Sequence, residues 1–140
     1  MYYEQVLQIP KSTPPENPAS VSIPVHPGRV NRVEVFFPRG CAGLAHVIIA
    51  MWGRQVWPTN PDSFFTGDDD QIAFSEDLDL VDPPYEFVVY GWNEDDTYSH
   101  GPIVRIEITP ADDTLSQLIT RLGLGPAGPA SSTDSTGGTL

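Results

Sequence analysis

Apolar residues recur with period two over several short stretches of this chain, and clusters of Pro, Gly, Asn and Asp separate them. That pattern predicts an all-β domain. It is clearest over residues 103–108, where Ile103, Arg105 and Glu107 face one way and Val104, Ile106 and Ile108 the other. Residues 30–37 alternate as well, with Val33, Val35 and Phe37 toward a core and Arg32, Glu34 and Phe36 away from it. Residues 44–52 and 85–92 are apolar at nearly every position, as expected of central strands covered on both faces. A polar, acidic connection over 93–102 links 85–92 to 103–108, and the pair reads as a long-looped hairpin at the centre of a sheet.

Weaker signals fill in the rest. A short alternating run over 1–9 predicts an edge strand or arm, and the proline-rich 10–20 stretch an extended connection. Pro24 makes 21–25 an edge strand. Short strands are expected over 53–58 and 71–75, with Phe64 and Phe65 in the loop between them. Residues 76–84 read as a loop that drops Leu78, Leu80 and Val81 onto the core. Pro110 and the Asp112–Asp113 pair then open a predicted helix. Leu115, Leu118, Ile119 and Leu122 recur in it at i, i+3, i+4 and i+7, and Gly123 suits its end. The units are thus an N-terminal arm (1–20), a domain (21–109), a short helix (110–124) and a low-complexity tail (125–140) expected to be flexible. Seven or eight short strands with one late helix fit an antiparallel β-sandwich of jelly-roll or immunoglobulin-like topology.

Composition narrows the function. The 140 residues suit one core, and 15 Pro with 12 Gly suit turns more than helices. The net charge of −12 is unevenly spread. Between positions 62 and 113 there are fifteen acids against one base, Arg105, whereas positions 29–54 hold four Arg and one acid. A nucleic acid would be repelled by the acidic half, while opposed halves favour contacts between copies or with a basic partner. The lone cysteine, Cys41, excludes an internal disulfide. No signal-peptide pattern opens the chain, and the longest apolar run, 47–52, is too short to cross a bilayer, so a protein made in a cytoplasm and free of membrane is expected.

Three groups of residues bear on chemistry. The acidic runs 68–70 and 94–96 could supply oxygens to calcium, although neither has the spaced pattern of a calcium loop, and repulsion at loop tips explains them equally. Cys41 with His46, and His100 beside Asp95 and Asp96, contain elements of nucleophilic or acid–base sites, but no signature surrounds them. Trp57, Phe64, Phe65, Trp92 and Tyr98 sit at strand ends or in loops beside Asn60, Asp62, Asn93 and Asp96. Such rings either stack on a sugar or plug the ends of a sandwich. No motif makes a case for an enzyme.

Three patches carry a resemblance. They are Pro38-Arg39-Gly40-Cys41-Ala42-Gly43-Leu44-Ala45-His46-Val47, then Val56-Trp57-Pro58-Thr59-Asn60-Pro61-Asp62, and Gly91-Trp92-Asn93-Glu94-Asp95-Asp96-Thr97-Tyr98-Ser99-His100. In that order and spacing, over roughly residues 2–110, the chain resembles small bacteriophage virion proteins with a β-sandwich. The resemblance implies a non-enzymatic structural role in capsid decoration, tail or spike. It further implies location in the virion and contacts with other virion proteins and with copies of itself, with no cofactor. Independently of the resemblance, Phe36 on its outward face and Leu118 on the helix are candidate subunit contacts, and Trp57, Trp92, Tyr98, Asp95 and Asp96 candidate ligand or partner contacts. The alternative is a carbohydrate-binding module, calcium-assisted or not, that uses the same Trp57, Trp92 and Tyr98.

Overall fold

The computed structural model describes residues 1–111 together with 122 and 123. Within them the chain is all-β and forms two antiparallel sheets. In the first, β1 (Tyr2–Val6), β9 (Ile103–Pro110), β3 (Gly28–Phe37) and β7 (Asp70–Asp79) lie side by side in that order. In the second, the order is β2 (Ala19–Pro24), β8 (Glu86–Asn93), β4 (Ala45–Met51) and β5 (Arg54–Trp57), and the short β6 (Phe65–Thr66) shares the far edge of β4. The pairing is nested. β1 pairs with β9, β2 with β8, β3 with β7, and β4 closes on β5. Two further ladders, β3 on β9 and β4 on β8, join these pairs into sheets.

Period-two alternation decides which side chains meet between the sheets. Val33, Val35, Phe37, Val104, Ile106 and Ile108 of the first sheet share one buried cluster with Val47, Ile49, Met51, Phe87 and Val89 of the second. Burying a side chain of this size stabilises by about 1.5–3 kcal/mol, so slipping any strand by one residue would forfeit several such terms. At the open side between β5 and β7, the Trp57 ring meets Phe74 edge-on at 6.2 Å and stacks on Phe87 at 5.3 Å. Its Nε1 donates to Glu76 Oε1 at 2.7 Å, which satisfies both the indole and a carboxylate turned inward from an edge strand. The β4–β5 hairpin turns on Trp52 and Gly53 alone, with φ of 55° and 76°. Positive φ at both positions is the two-residue turn whose twist matches antiparallel strands. The Trp52 indole, donating to the Asp82 carbonyl at 2.8 Å, holds a bulky residue in that conformation.

Three expectations change. Residues 85–92 and 103–108 do not form a hairpin, because β8 and β9 lie in different sheets. The connection crosses from one sheet to the other along residues 7–13, through bridges between Ile9 and His100 and between Thr13 and Asn93. Apolar alternation fixes the face a strand presents, and a connection this long leaves the neighbour open. Second, β7 runs through Asp79 instead of ending at residue 75, and Val81 stands exposed beyond it. Third, β8 is covered on one face only: Phe87 and Val89 are buried, while Val88, Tyr90 and Trp92 are half-exposed. The predicted 110–124 helix and the 125–140 tail lie outside the described residues, apart from Pro110, Ala111, Leu122 and Gly123.

Candidate interaction face

The outward faces of the two sheets differ in chemistry. On the first sheet, outward residues of β1, β9 and β3 form a charge lattice. Arg105 Nε meets Glu4 Oε1 at 2.8 Å and its second nitrogen reaches Glu34 at 3.8 Å, while Arg32 holds Glu34 at 2.9 Å. The Tyr2 hydroxyl donates to the same Glu34 at 3.4 Å. Phe36 lies at the end of this face, half-buried between Ile103 and Gln71. These polar groups have partners within the chain, and the surface is suited to water.

The outward face of the second sheet is apolar and aromatic along its central strands β4 and β8, between Ser20 and Ser22 of β2 on one side and Gln55 of β5 on the other. Cross-strand pairing sets His46 opposite Trp92, Ile48 opposite Tyr90 and Ala50 opposite Val88. Ile48, Ala50, Trp52, Val88 and Tyr90 line a shallow depression of about 310 Å³ toward the β4–β5 hairpin. At the other end, the His46 ring stacks on Trp92 with centroids 5.3 Å apart, and Phe64 meets both rings edge-on at 4.6 and 5.5 Å. His46 is 6% exposed. Its Nε2 lies 3.1 Å from Glu94 Oε2, out of line for a hydrogen bond, so neither ring nitrogen is hydrogen-bonded within the protein. An imidazole on an outward sheet face is thus sealed by two aromatic rings, and the Phe64 that seals it is itself 43% exposed.

The loop beside this end is rigidly built. Asn93, 1% exposed, donates from Nδ2 to the carbonyls of Tyr98 (3.0 Å), Ile9 (3.3 Å) and Pro10 (3.3 Å). Its Oδ1 accepts from the Asp95 backbone N–H at 2.9 Å. Asp95 Oδ1 in turn accepts from the N–H groups of Thr97 and Tyr98, and Oδ2 lies 2.9 Å from His100 Nε2. The Thr97 N–H, the His100 side chain and the Tyr98 N–H hold the Asp95 carboxyl below the usual carboxylate range. His100 is thus a loop histidine whose ring is held by the Asp95 carboxylate as part of a loop clasp. Asp96 accepts from the Thr97 hydroxyl, and Tyr98 stands outside with 67% exposure.

The candidate residues do not converge. Trp57 is 3% exposed and lies in the core between the sheets, stacked on Phe87, whereas Trp92 lies on the outward side of the second sheet. Cys41 is in the core cluster and His46 on the outer face, so the two are not placed as a nucleophile with its base. The two acidic loops do flank one end of the fold, on either side of residues 40–44. One carboxylate in each, Asp68 and Asp95, is turned to backbone donors, however. Asp68 Oδ1 accepts from Gly40 and Ala42, which lowers its pKa. Among the described residues no group of three or more His, Cys, Asp or Glu could hold a metal ion. Leu118 lies outside the described residues.

The apolar content of 44–52 and 85–92 held a signal for the outward face, since Ile48, Val88, Tyr90 and Trp92 are surplus to a one-sided strand. Asn93 and Gly91 carried no such signal. A Cβ on Gly91 would come within 2.5 Å of Ile9 and 2.7 Å of Leu7, so this glycine lets the 7–9 segment close over β8. No protein-family model matches the chain, and no curated protein matches it.

Proposed function

We propose that this chain is a non-enzymatic structural subunit of a bacteriophage virion: a jelly-roll β-sandwich that serves in capsid decoration, a tail or a spike. It sits in the virion and acts through contacts with other virion proteins and with copies of itself. The nested pairing supports the topology. First strand with last and second with next-to-last, inward to the β4–β5 hairpin, is an antiparallel ribbon rolled into two sheets. The immunoglobulin arrangement instead packs an A-B-E-D sheet on C-F-G. Jelly rolls host capsid and lectin domains alike, so topology alone does not choose a function.

The observation that carries the proposal is the contrast between the outward faces. The first sheet ends in a satisfied charge lattice, the second in the half-exposed series Ile48, Val88, Tyr90 and Trp92. A contiguous apolar face rimmed by polar groups suits burial against another protein. A sugar site would instead present several open rings together, and here Trp57 is in the core and Trp92 is packed on His46, which leaves Tyr98 alone of the three open to solvent. Negative-stain microscopy of the concentrated protein tests the assignment. Regular rings, tubes or shells are expected; a uniform field of single particles, together with binding on a glycan array, would overturn it in favour of the carbohydrate module.

A further inference from the structure

We propose that the cleft between β5 and β7, at the open side between the sheets, binds a small zwitterion. Its ligand carries a carboxylate and an amine, as an amino acid does. The cleft holds about 330 Å³, at the small end of ligand sites. Arg54, Val56 and Trp57 of β5 line one wall, and Glu76 and Leu78 of β7 the other. Arg54 pairs across the ladder with Met51, a core residue, so it stands on the inward side of the second sheet. The cleft is therefore separate from the outward face, and its ligand is independent of the assembly role.

Two opposite charges line this cleft and do not meet. Arg29, Arg32, Arg39 and Arg105 each pair with a carboxylate, whereas Arg54 forms no ion pair among the described residues. Glu76 is held in place, since Oε1 accepts from the Trp57 indole at 2.7 Å and Oε2 from the Asp77 N–H at 3.0 Å. Each of these oxygens keeps room for a further donor. An anion at Arg54 would meet the repulsion of Glu76, and a cation at Glu76 that of Arg54. A neutral polyol would displace water from both charges and give neither a counter-ion. A zwitterion supplies a carboxylate to Arg54 and an ammonium to Glu76, while its carbon chain lies on the half-buried Val56 and Leu78.

Titration of the full chain with 6-aminohexanoate, followed by the indole N–H resonances, tests this. The Trp57 signal reports directly, because its N–H donates to Glu76, and Trp52→Phe and Trp92→Phe assign it by elimination. A saturable shift of the Trp57 signal is expected. Hexanoate and hexylamine, each lacking one charged end, are expected to bind about tenfold more weakly or worse. Arg54→Gln, at an exposed position, is expected to weaken 6-aminohexanoate by about tenfold. Glu76→Gln keeps an acceptor for the indole and is expected to weaken it similarly. A Trp57 signal that stays fixed throughout the titration overturns the proposal. Hexanoate or hexylamine binding as tightly as 6-aminohexanoate overturns it as well, and so does unchanged affinity in Arg54→Gln.

Discussion

Replacing Asn93 asks how much one buried amide contributes to the end of the fold that carries Trp92 and Glu94. Its side chain has two amide hydrogens and three carbonyl partners, so the two 3.3 Å contacts to Ile9 and Pro10 share one hydrogen, while Tyr98 takes the other at 3.0 Å. The Oδ1 contact to the Asp95 N–H at 2.9 Å completes the set. Asn93→Ala leaves the Ile9 carbonyl its bond from His100 and the Pro10 carbonyl its bond from the Thr13 hydroxyl. The Tyr98 carbonyl and the Asp95 N–H lose these bonds. Two well-formed bonds and one shared bond, at about 1 kcal/mol each, give a loss of about 2–3 kcal/mol. For a domain of this size that lowers Tm by about 10–15 °C. Asn93→Asp is the sharper variant. It keeps the acceptor for Asp95 but faces three carbonyl oxygens with a buried carboxylate, so it is expected to cost at least as much as alanine. Thermal and urea unfolding read both. An Asn93→Asp protein as stable as wild type would mean that the donor side contributes nothing.

Other residues give further tests. The Asp95 carboxyl is held below its usual range, so it stabilises the fold above the unfolded carboxylate pKa of about 3.9 and loses that contribution as pH falls through the lower folded value. Unfolding between pH 5 and 2 is therefore expected to show a steeper acid loss for wild type than for Asp95→Asn; parallel curves would contradict the clasp. A Cβ at Gly28 would lie 2.1 Å from the Thr109 carbonyl oxygen, a backbone atom, so Gly28→Ala is expected to cost about 2 kcal/mol or more in denaturant unfolding. Trp57→Ala should cost about 3–5 kcal/mol by the same assay, whereas Tyr98→Ala should stay within about 0.5 kcal/mol, as core and surface positions respectively.

Much of the strand content was legible because period two is set by burial itself. Val33, Val35 and Phe37, and likewise Val104, Ile106 and Ile108, declare their face by spacing alone. Sheet membership was not legible. β8 and β9 are each compatible with either sheet, and what separates them is the 7–13 segment wedged beside the connection, where Ile9 bridges to His100. The extent of β7 was hidden because Glu76, Asp77 and Asp79 read as loop. Yet Glu76 points inward to the Trp57 indole, and Asp77 and Asp79 meet Arg29 at 3.0 Å. For the site, the doubly apolar character of 85–92 was visible, but sequence could not tell a second covering layer within the chain from one supplied by another molecule. His46 read as a strand histidine; its enclosure by Phe64 and Trp92 depends on a loop and a strand far apart in the sequence.

On the proposed function, the outward face of the second sheet is the surface that other proteins cover. The most direct test is the light-scattering mass of wild type beside an Ile48→Lys/Val88→Lys double variant, across concentration. Lysines at these half-exposed positions can carry their charge out to water, so the sheets persist and circular dichroism should be unchanged. The expected result is wild type at a multiple of 15.3 kDa and the variant at 15.3 kDa. A folded variant with the same multiple as wild type would contradict the claim.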